Sequence, residues 1–237
     1  MIFSEFNQKV VLITGAAGGI GHALCRKFSQ FNAKVYQTDI QYVDDPNFIQ
    51  GDISDLEFIK SLVKQIFEKE GRIDILVNNA GICPRTSVSD ISFDEWRKVL
   101  DVNLTSTFFL SQAVLEIMIK NNSGAIVNLA SVAGQVGGIA VGAHYSASKA
   151  AIECLTKTFA KLGGPHGVRV NGVAPGIIDT HMQDTVTPEQ ADHFLRTIPM
   201  KRLGSPEEVA NIILFLASDK ASYVTGTNIN IDGGLNI

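Results

Sequence analysis

The chain is short of cysteine, of clustered basic charge and of long apolar runs, and each shortage removes a class of protein. Cys25, Cys83 and Cys154 are odd in number, far apart and without a Cys-x-x-Cys pair. That usage argues against a disulfide framework or a thiolate metal site and suits a reducing cytoplasm, where the protein is expected to reside. The five histidines show no metal-ligand spacing, so no metal is expected. No uninterrupted apolar stretch approaches the ~20 residues that cross a bilayer. Met1-Ile2-Phe3-Ser4-Glu5 lacks a basic region leading into an apolar one, so neither a secretory signal nor a membrane partner is expected. A net charge of −4 with no Lys/Arg cluster disfavours a nucleic-acid surface. Repeats, low-complexity tracts and linkers are absent as well.

What remains reads as one α/β domain covering residues 1–237, long enough for a sizeable core and short for two domains. Hydrophobic residues are 45% and charged residues 19%, a globular balance. Short apolar runs alternate with helical patterns, which predicts a doubly wound parallel sheet with helices on both faces. Strands are expected at Lys9 to Ile13, Lys34 to Thr38, Ile73–Val77, Ala125–Leu129, Val168–Val173 and Asn228–Ile231. Helix starts are marked by capping boxes at Ser54-Asp55-Leu56-Glu57, Ser92-Phe93-Asp94-Glu95 and Ser205-Pro206-Glu207-Glu208, with a Thr/Gln version at Thr187-Pro188-Glu189-Gln190.

Two motifs carry chemistry. Thr14-Gly15-Ala16-Ala17-Gly18-Gly19-Ile20-Gly21 follows the first strand at once. Small residues there let the backbone approach a pyrophosphate, whose charge is favoured by open N–H groups at a helix start. The second strand ends at Asp39, 18 residues after Gly21, where a carboxylate can accept hydrogen bonds from an adenine ribose. Far downstream, Tyr145 and Lys149 are four apart and share a helix face. A phenol with a pKa of about 10 is a poor base near neutrality, and a close ammonium favours the phenolate. The pair is therefore expected to move a proton on an alcohol or ketone.

With these residues the chain resembles the short-chain dehydrogenase/reductase family almost end to end. The resemblance also rests on Asp52 and Ile53 after the third strand, Asn79, Ala80 and Gly81 in Asn78-Asn79-Ala80-Gly81, and Asn103 in Asp101-Val102-Asn103-Leu104. Ser131 in Asn128-Leu129-Ala130-Ser131, Pro175 and Gly176 followed by Ile178 and Thr180, and the ending Tyr223-Val224-Thr225-Gly226 to Asp232-Gly233-Gly234 complete it. It implies a Rossmann-like dinucleotide site made by Thr14, Gly15, Gly19, Ile20, Gly21, Asp39, Asp52, Ile53, Asn79, Ala80, Gly81, Tyr145, Lys149, Pro175, Gly176, Ile178 and Thr180. It also implies that Ser131 orients the substrate oxygen, that Asn103 holds a water behind Lys149, and that Lys149 bonds the nicotinamide ribose. The helices from Leu104 to Lys120 and from Tyr145 to Leu162, with the Gly233-Gly234-Leu235 region, match surfaces through which the family forms homotetramers. Lys161 and the pair Gly163-Gly164 depart from many relatives, and the short chain between Asp39 and Asp52 leaves little room for a helix.

The expected activity is hydride transfer between NAD(H) and a secondary alcohol or ketone. NAD is expected because Asp39 repels a 2′-phosphate and no Lys or Arg lies between Thr14 and Gly21 or at Ile40 and Gln41. A 3-oxoacyl thioester reductase is the rival enzyme, suggested by Ile198 to Asp232, and a non-catalytic dinucleotide-binding scaffold or redox sensor is the rival of another class. The segment near 180–199, with its own helix and the apolar Met182, Phe194 and Leu195, reads as a substrate lid. Among other side chains, Cys83 and Trp96 read as packing. His144, one step of ~100° from Tyr145, reads as a surface residue. His181 and His193 bracket the substrate loop, and the run from Val132 to Val141 carries no charge to clamp an anionic group.

Overall fold

The computed structural model describes residues 3–138, 141–180 and 187–236. The chain begins with β1 (Val10–Thr14), α1 (Gly19–Gln30), β2 (Lys34–Asp39), β3 (Phe48–Gln50), α2 (Leu56–Glu70) and β4 (Ile75–Asn78). It continues with α3 (Phe93–Leu100), α4 (Ser106–Lys120), β5 (Gly124–Leu129), the one-turn α5 (Ala133–Val136), α6 (Ala143–Gly163) and β6 (Val168–Pro175). α7 (Pro188–Thr197), α8 (Pro206–Ala217) and β7 (Asn228–Ile231) close it. The seven strands form one parallel sheet in the order β3-β2-β1-β4-β5-β6-β7. No helix lies between β2 and β3, as the short spacing predicts.

Both faces of the sheet are covered because its central strands are apolar on both sides. Along β1, Val11 and Ile13 point into one core with Leu24 and Phe28 of α1 and Val209 and Ile213 of α8. Val10 and Leu12 point into the other, with Leu62 of α2, Leu110 and Val114 of α4, and Phe159 of α6. This alternation is the period-two geometry of a strand expressed between two helical layers. The span from Phe93 to Lys120 is long and apolar enough to cross a bilayer by composition alone. In the fold its α4 part is a core helix, with Leu110, Val114 and Met118 fully buried against the sheet.

Strand order reverses between β1 and β4. Their carboxyl ends therefore diverge into a crevice, the place where open α/β sheets hold ligands. A buried polar ladder fixes the floor of this region. Asn78 Nδ2 donates to Asn128 Oδ1 at 2.8 Å and to Ser111 Oγ at 2.9 Å, and Asn128 Nδ2 donates to Thr156 Oγ1 at 3.0 Å. These bonds tie the ends of β4 and β5 to α4 and α6 inside the core, where an unpaired amide would cost about 1–3 kcal/mol.

The helix starts differ in detail from the sequence pattern. Of the three serine-led patterns, only Ser205 completes a capping box, with Glu208. α2 is capped by Asp55 rather than Ser54, whose hydroxyl is drawn to Asp52. Ser92 caps α3 through Glu95 N, but the Glu95 side chain is turned elsewhere. α7 begins at Pro188, while the side chain of Gln190, the expected capping partner, lies outside the described residues. α6 runs through Lys161 to Gly163 before a single 3₁₀ turn at Gly164–His166, so the glycine pair ends the helix without shortening it earlier.

Candidate active site

The glycine turn after β1 builds the floor of the crevice. Gly15 has φ +66°, and a Cβ on it would lie 2.8 Å from Ala80 Cα. A Cβ on Gly21 would stand 2.0 Å from the Gly15 carbonyl oxygen, so α1 can start this close to the turn only without a side chain there. Asn79 Nδ2 donates to the carbonyls of Thr14 at 2.8 Å and Gly15 at 2.9 Å, while Thr14 Oγ1 accepts Asn79 N and Ala80 N. The turns after β1 and β4 are thus one bonded unit. α1 starts with no side-chain cap and no acidic residue in its first turn, leaving a positive dipole end for a pyrophosphate.

The resulting cleft has a volume of about 260 Å³. It is lined by Gly15, Gly19, Ile20, Asp39, Asn79, Ala80, Gly81, Tyr145, Lys149, Pro175, Gly176, Ile178 and Thr180, all expected from the sequence. Four other expected residues stand behind the surface. Thr14 pins the two turns, Gly21 packs under Gly15, and Asp52 accepts bonds from Ser54, with the buried Ile53 beside it. Gly18, Gln41, Leu129 and Ala130 line the cleft without having been expected. Gly18 lay inside the motif and Gln41 two residues past Asp39, so proximity in sequence could have flagged both. The cleft fits a dinucleotide. Asp39 Oδ2 accepts Ala17 N and Oδ1 accepts Gln41 N, each at 3.0 Å, which aims the carboxylate into the cleft with lone pairs to spare. Among the described residues no group of three or more His, Cys, Asp or Glu gathers as a metal site.

At the other end of the cleft the four expected catalytic residues converge. Lys149 is buried, its Nζ donating to Leu129 O at 2.7 Å and lying 5.7 Å from the centre of the Tyr145 ring. Ser131 hydrogen-bonds the Tyr145 phenol, and its Oγ accepts Ala133 N at 3.2 Å. Asn103 sits in a π-helical turn, Asp101–Thr105, that joins α3 to α4. The wider turn brings its amide to Ile82, accepting Ile82 N at 2.9 Å and donating to Ile82 O at 3.0 Å, and to Ser148 Oγ at 3.1 Å. Gly81 lies between Asn103 and Lys149, a Cβ there falling 3.3 Å from Asn103 Oδ1 and 3.5 Å from Lys149 Nζ.

The electrostatics correct one expectation. Tyr145 is not held low by Lys149. Burial pushes its phenol up, and Ser131 opposes the shift. Burial also pushes Lys149 down to about 8. In the protein alone, desolvation sets the direction of both shifts. At neutral pH the phenol keeps its proton.

Next to Ser131 and Tyr145 opens a second cavity of about 550 Å³. Val132, Val136 and Val141 form one wall, Ile177 and Leu235 another, and His193, Phe194 and Thr197 of α7 close the side. Cys83 and Arg85 also line it, and burial pushes the Cys83 thiol up to about 11. Phe194 lines this cavity, whereas Leu195 is exposed. His181 and Met182 lie outside the described residues. His144 corrects a second expectation, being fully buried rather than on the surface, and Trp96 stacks beside it.

Comparison with known proteins agrees with this architecture. The sequence model of the family described as Enoyl-(Acyl carrier protein) reductase matches residues 15–236. The chain is 43% identical to the 3-oxoacyl-(acyl-carrier-protein) reductase FabG of Thermotoga maritima, covering 96% of this chain and 97% of that protein. It is 39% identical to the meso-2,3-butanediol dehydrogenase of Serratia marcescens, with 97% and 95% covered. A crystal structure of a 3-oxoacyl-(acyl-carrier-protein) reductase with bound NAD from Brucella melitensis superposes with a TM-score of 0.89 at 37% identity, covering 100% of this chain and 94% of that one.

Proposed function

The chain belongs to the short-chain dehydrogenase/reductase family and is an oxidoreductase acting on CH–OH donors and their ketones; from that premise we propose that it reduces 3-oxoacyl thioesters with NADH. The observation that carries this reading is the cavity beside Tyr145, which is lined by the apolar Val132, Val136, Val141, Ile177 and Phe194. Such a lining suits an acyl chain. The reductases among the relatives favour the same class, so the broader expectation of a secondary alcohol substrate is narrowed to the hydroxyl of a 3-hydroxyacyl group.

The chemistry NADH supplies when bound is a hydride for the carbonyl carbon. The chain supplies the rest. Ser131 Oγ and the Tyr145 phenol hold the carbonyl oxygen, and the phenolic proton passes to that oxygen as it gains negative charge. Because burial keeps the phenol protonated, Tyr145 is set up as a general acid, which suits the reducing direction. Lys149 and Asn103 stand behind it as the route by which the phenol regains a proton. Asp39, with no cation among the described residues beside it and Lys149 at the other end of the cleft, selects NADH over NADPH by like-charge repulsion of a 2′-phosphate. The free, widely spaced cysteines support a cytoplasmic location.

The test is to follow NADH oxidation with acetoacetyl-coenzyme A and, in the other direction, NAD⁺ reduction with butane-2,3-diol and other secondary alcohols. We expect the highest kcat/KM for the thioester and a preference for NADH over NADPH of at least about ten-fold. A higher kcat/KM for a small diol would establish the second reading, which the Serratia relative favours. Tight NADH binding without turnover of any of these compounds would leave a scaffold.

A further inference from the structure

His144 immediately precedes Tyr145, and its ring is fully buried with both nitrogens engaged. Tyr145 N lies 3.0 Å from His144 Nδ1. A backbone N–H can only donate, so Nδ1 is the acceptor and the ring proton sits on Nε2. Nε2 faces Glu95 Oε1 at 2.9 Å. Glu95 is the third residue of α3, with its backbone N–H on the Ser92 cap and its carboxylate shared with the Thr86 side chain. Those contacts hold the carboxyl below the usual carboxylate range, with the Thr86 bond first and His144 second, so it stays an acceptor. The ring also lies against Gly142, where a Cβ would fall 2.2 Å from His144 Cε1, and Gly142 N donates to Pro84 O at 2.8 Å.

We infer that His144, anchored by Glu95, is a positioning residue for Tyr145. The inference rests on the proposed role of Tyr145 as proton donor. Tyr145 is the third residue of α6, in the first turn, where backbone N–H groups have no partner within the helix and the chain frays. α6 has no side-chain N-cap on Gly142. The imidazole does that work from inside the turn and passes the load to a second helix. The bond holds the backbone from which the phenol projects, while Ser148 Oγ holds the Tyr145 carbonyl at 2.7 Å. Both peptide groups of the proton donor are therefore fixed from outside the sheet. A carboxylate-held imidazole is the arrangement that fixes ring orientation in other catalytic settings, applied here to a backbone amide.

The experiment is a double-mutant cycle in the full-length protein. Its variants are His144→Leu, His144→Asn, Glu95→Ala and Tyr145→Phe, assayed with NADH and the best thioester or ketone. Asn places Oδ1 where Nδ1 stands and can still accept from Tyr145 N–H, whereas Leu cannot. We expect His144→Leu to lower kcat on the order of ten-fold, since a 1 Å misplacement can cost up to about a hundred-fold. KM for NADH should stay within about two-fold, and His144→Asn should recover most of the rate. In the Tyr145→Phe background His144→Leu should have no further effect, because it acts only through the phenol. The same loss in both backgrounds, or unchanged kcat in His144→Leu, overturns the inference while leaving the proposed function intact. If His144→Leu does not fold, Glu95→Ala, which lies at the surface end of the link, is read by the same cycle with an expected several-fold loss. Absence of turnover in the unmodified protein overturns both readings.

Discussion

Lys149 is an ammonium without solvent around it, and its protonation is coupled to folding. Its pKa falls from 10.5 in the open chain to about 8 in the fold. Below pH 8 both states hold the proton and the burial cost is fully present. Between pH 8 and 10.5 the folded protein has released a proton that the unfolded chain keeps, so stability rises with pH across that window. We expect Lys149→Met to be the more stable protein at pH 7. Its advantage should shrink by a few kcal/mol between pH 8 and 10.5. Urea denaturation of the cofactor-free proteins checks this, and a constant difference over that range would refute it. At the same scale, Tyr145→Phe removes the transferable proton and should lower turnover by about 10² or more while NADH still binds. Fluorescence titration with NADH separates the two effects.

At the scale of elements, α7 is the helix that borders the apolar cavity. It contributes His193, Phe194 and Thr197 to the apolar cavity, but much of the helix faces solvent and Leu195 is exposed. We propose that it is the substrate lid. Elements that gate a site are drawn from the less stable parts of a fold. Amide exchange in 187–197 is therefore expected to slow by at least about ten-fold when NADH and a substrate analogue bind. Equal protection with and without them would make α7 a fixed wall and assign specificity to the loop after Ser131. α8 is the contrasting case. Its complete capping box and the buried Val209, Ile213 and Leu216 anchor it to α1 and the sheet, so no ligand response is expected there.

At the scale of the whole molecule, the outer faces of α4 and α6 and the chain end leave apolar side chains in the open. Phe109 of α4, Leu162 of α6, and Met200, whose N–H donates to Gly233 O near the chain end, are all exposed. Placed on elements that match the family's pairing surfaces, they support a homotetramer with two kinds of two-fold contact. Lys161 sits on α6 without breaking it, so the helix that the interface needs is present to Gly163. Light scattering at micromolar concentration should give four times the chain mass of 25.6 kDa. A mass of one chain would rule the assembly out.

What could be read along the chain was whatever depends on neighbours in sequence. Strand and helix alternation, the tight glycine turn and the Tyr145–Lys149 pairing on one helix face all follow from local periodicity, and β7 falls at the residues the pattern names. Their convergence was legible only because many motifs matched one family in order. Tertiary structure decided what depends on neighbours across space. Burial depth turned Tyr145 upward in pKa, because desolvation is set by everything packed around the phenol and not by the residue four positions on. The helical step rightly placed His144 about 100° from Tyr145, but only the fold shows that α3 occupies that direction and meets the ring with Glu95. Ser111 and Thr156 became partners of Asn78 and Asn128 in the same way. Local sequence sets which way a side chain points, and the packing of distant elements sets what it meets there.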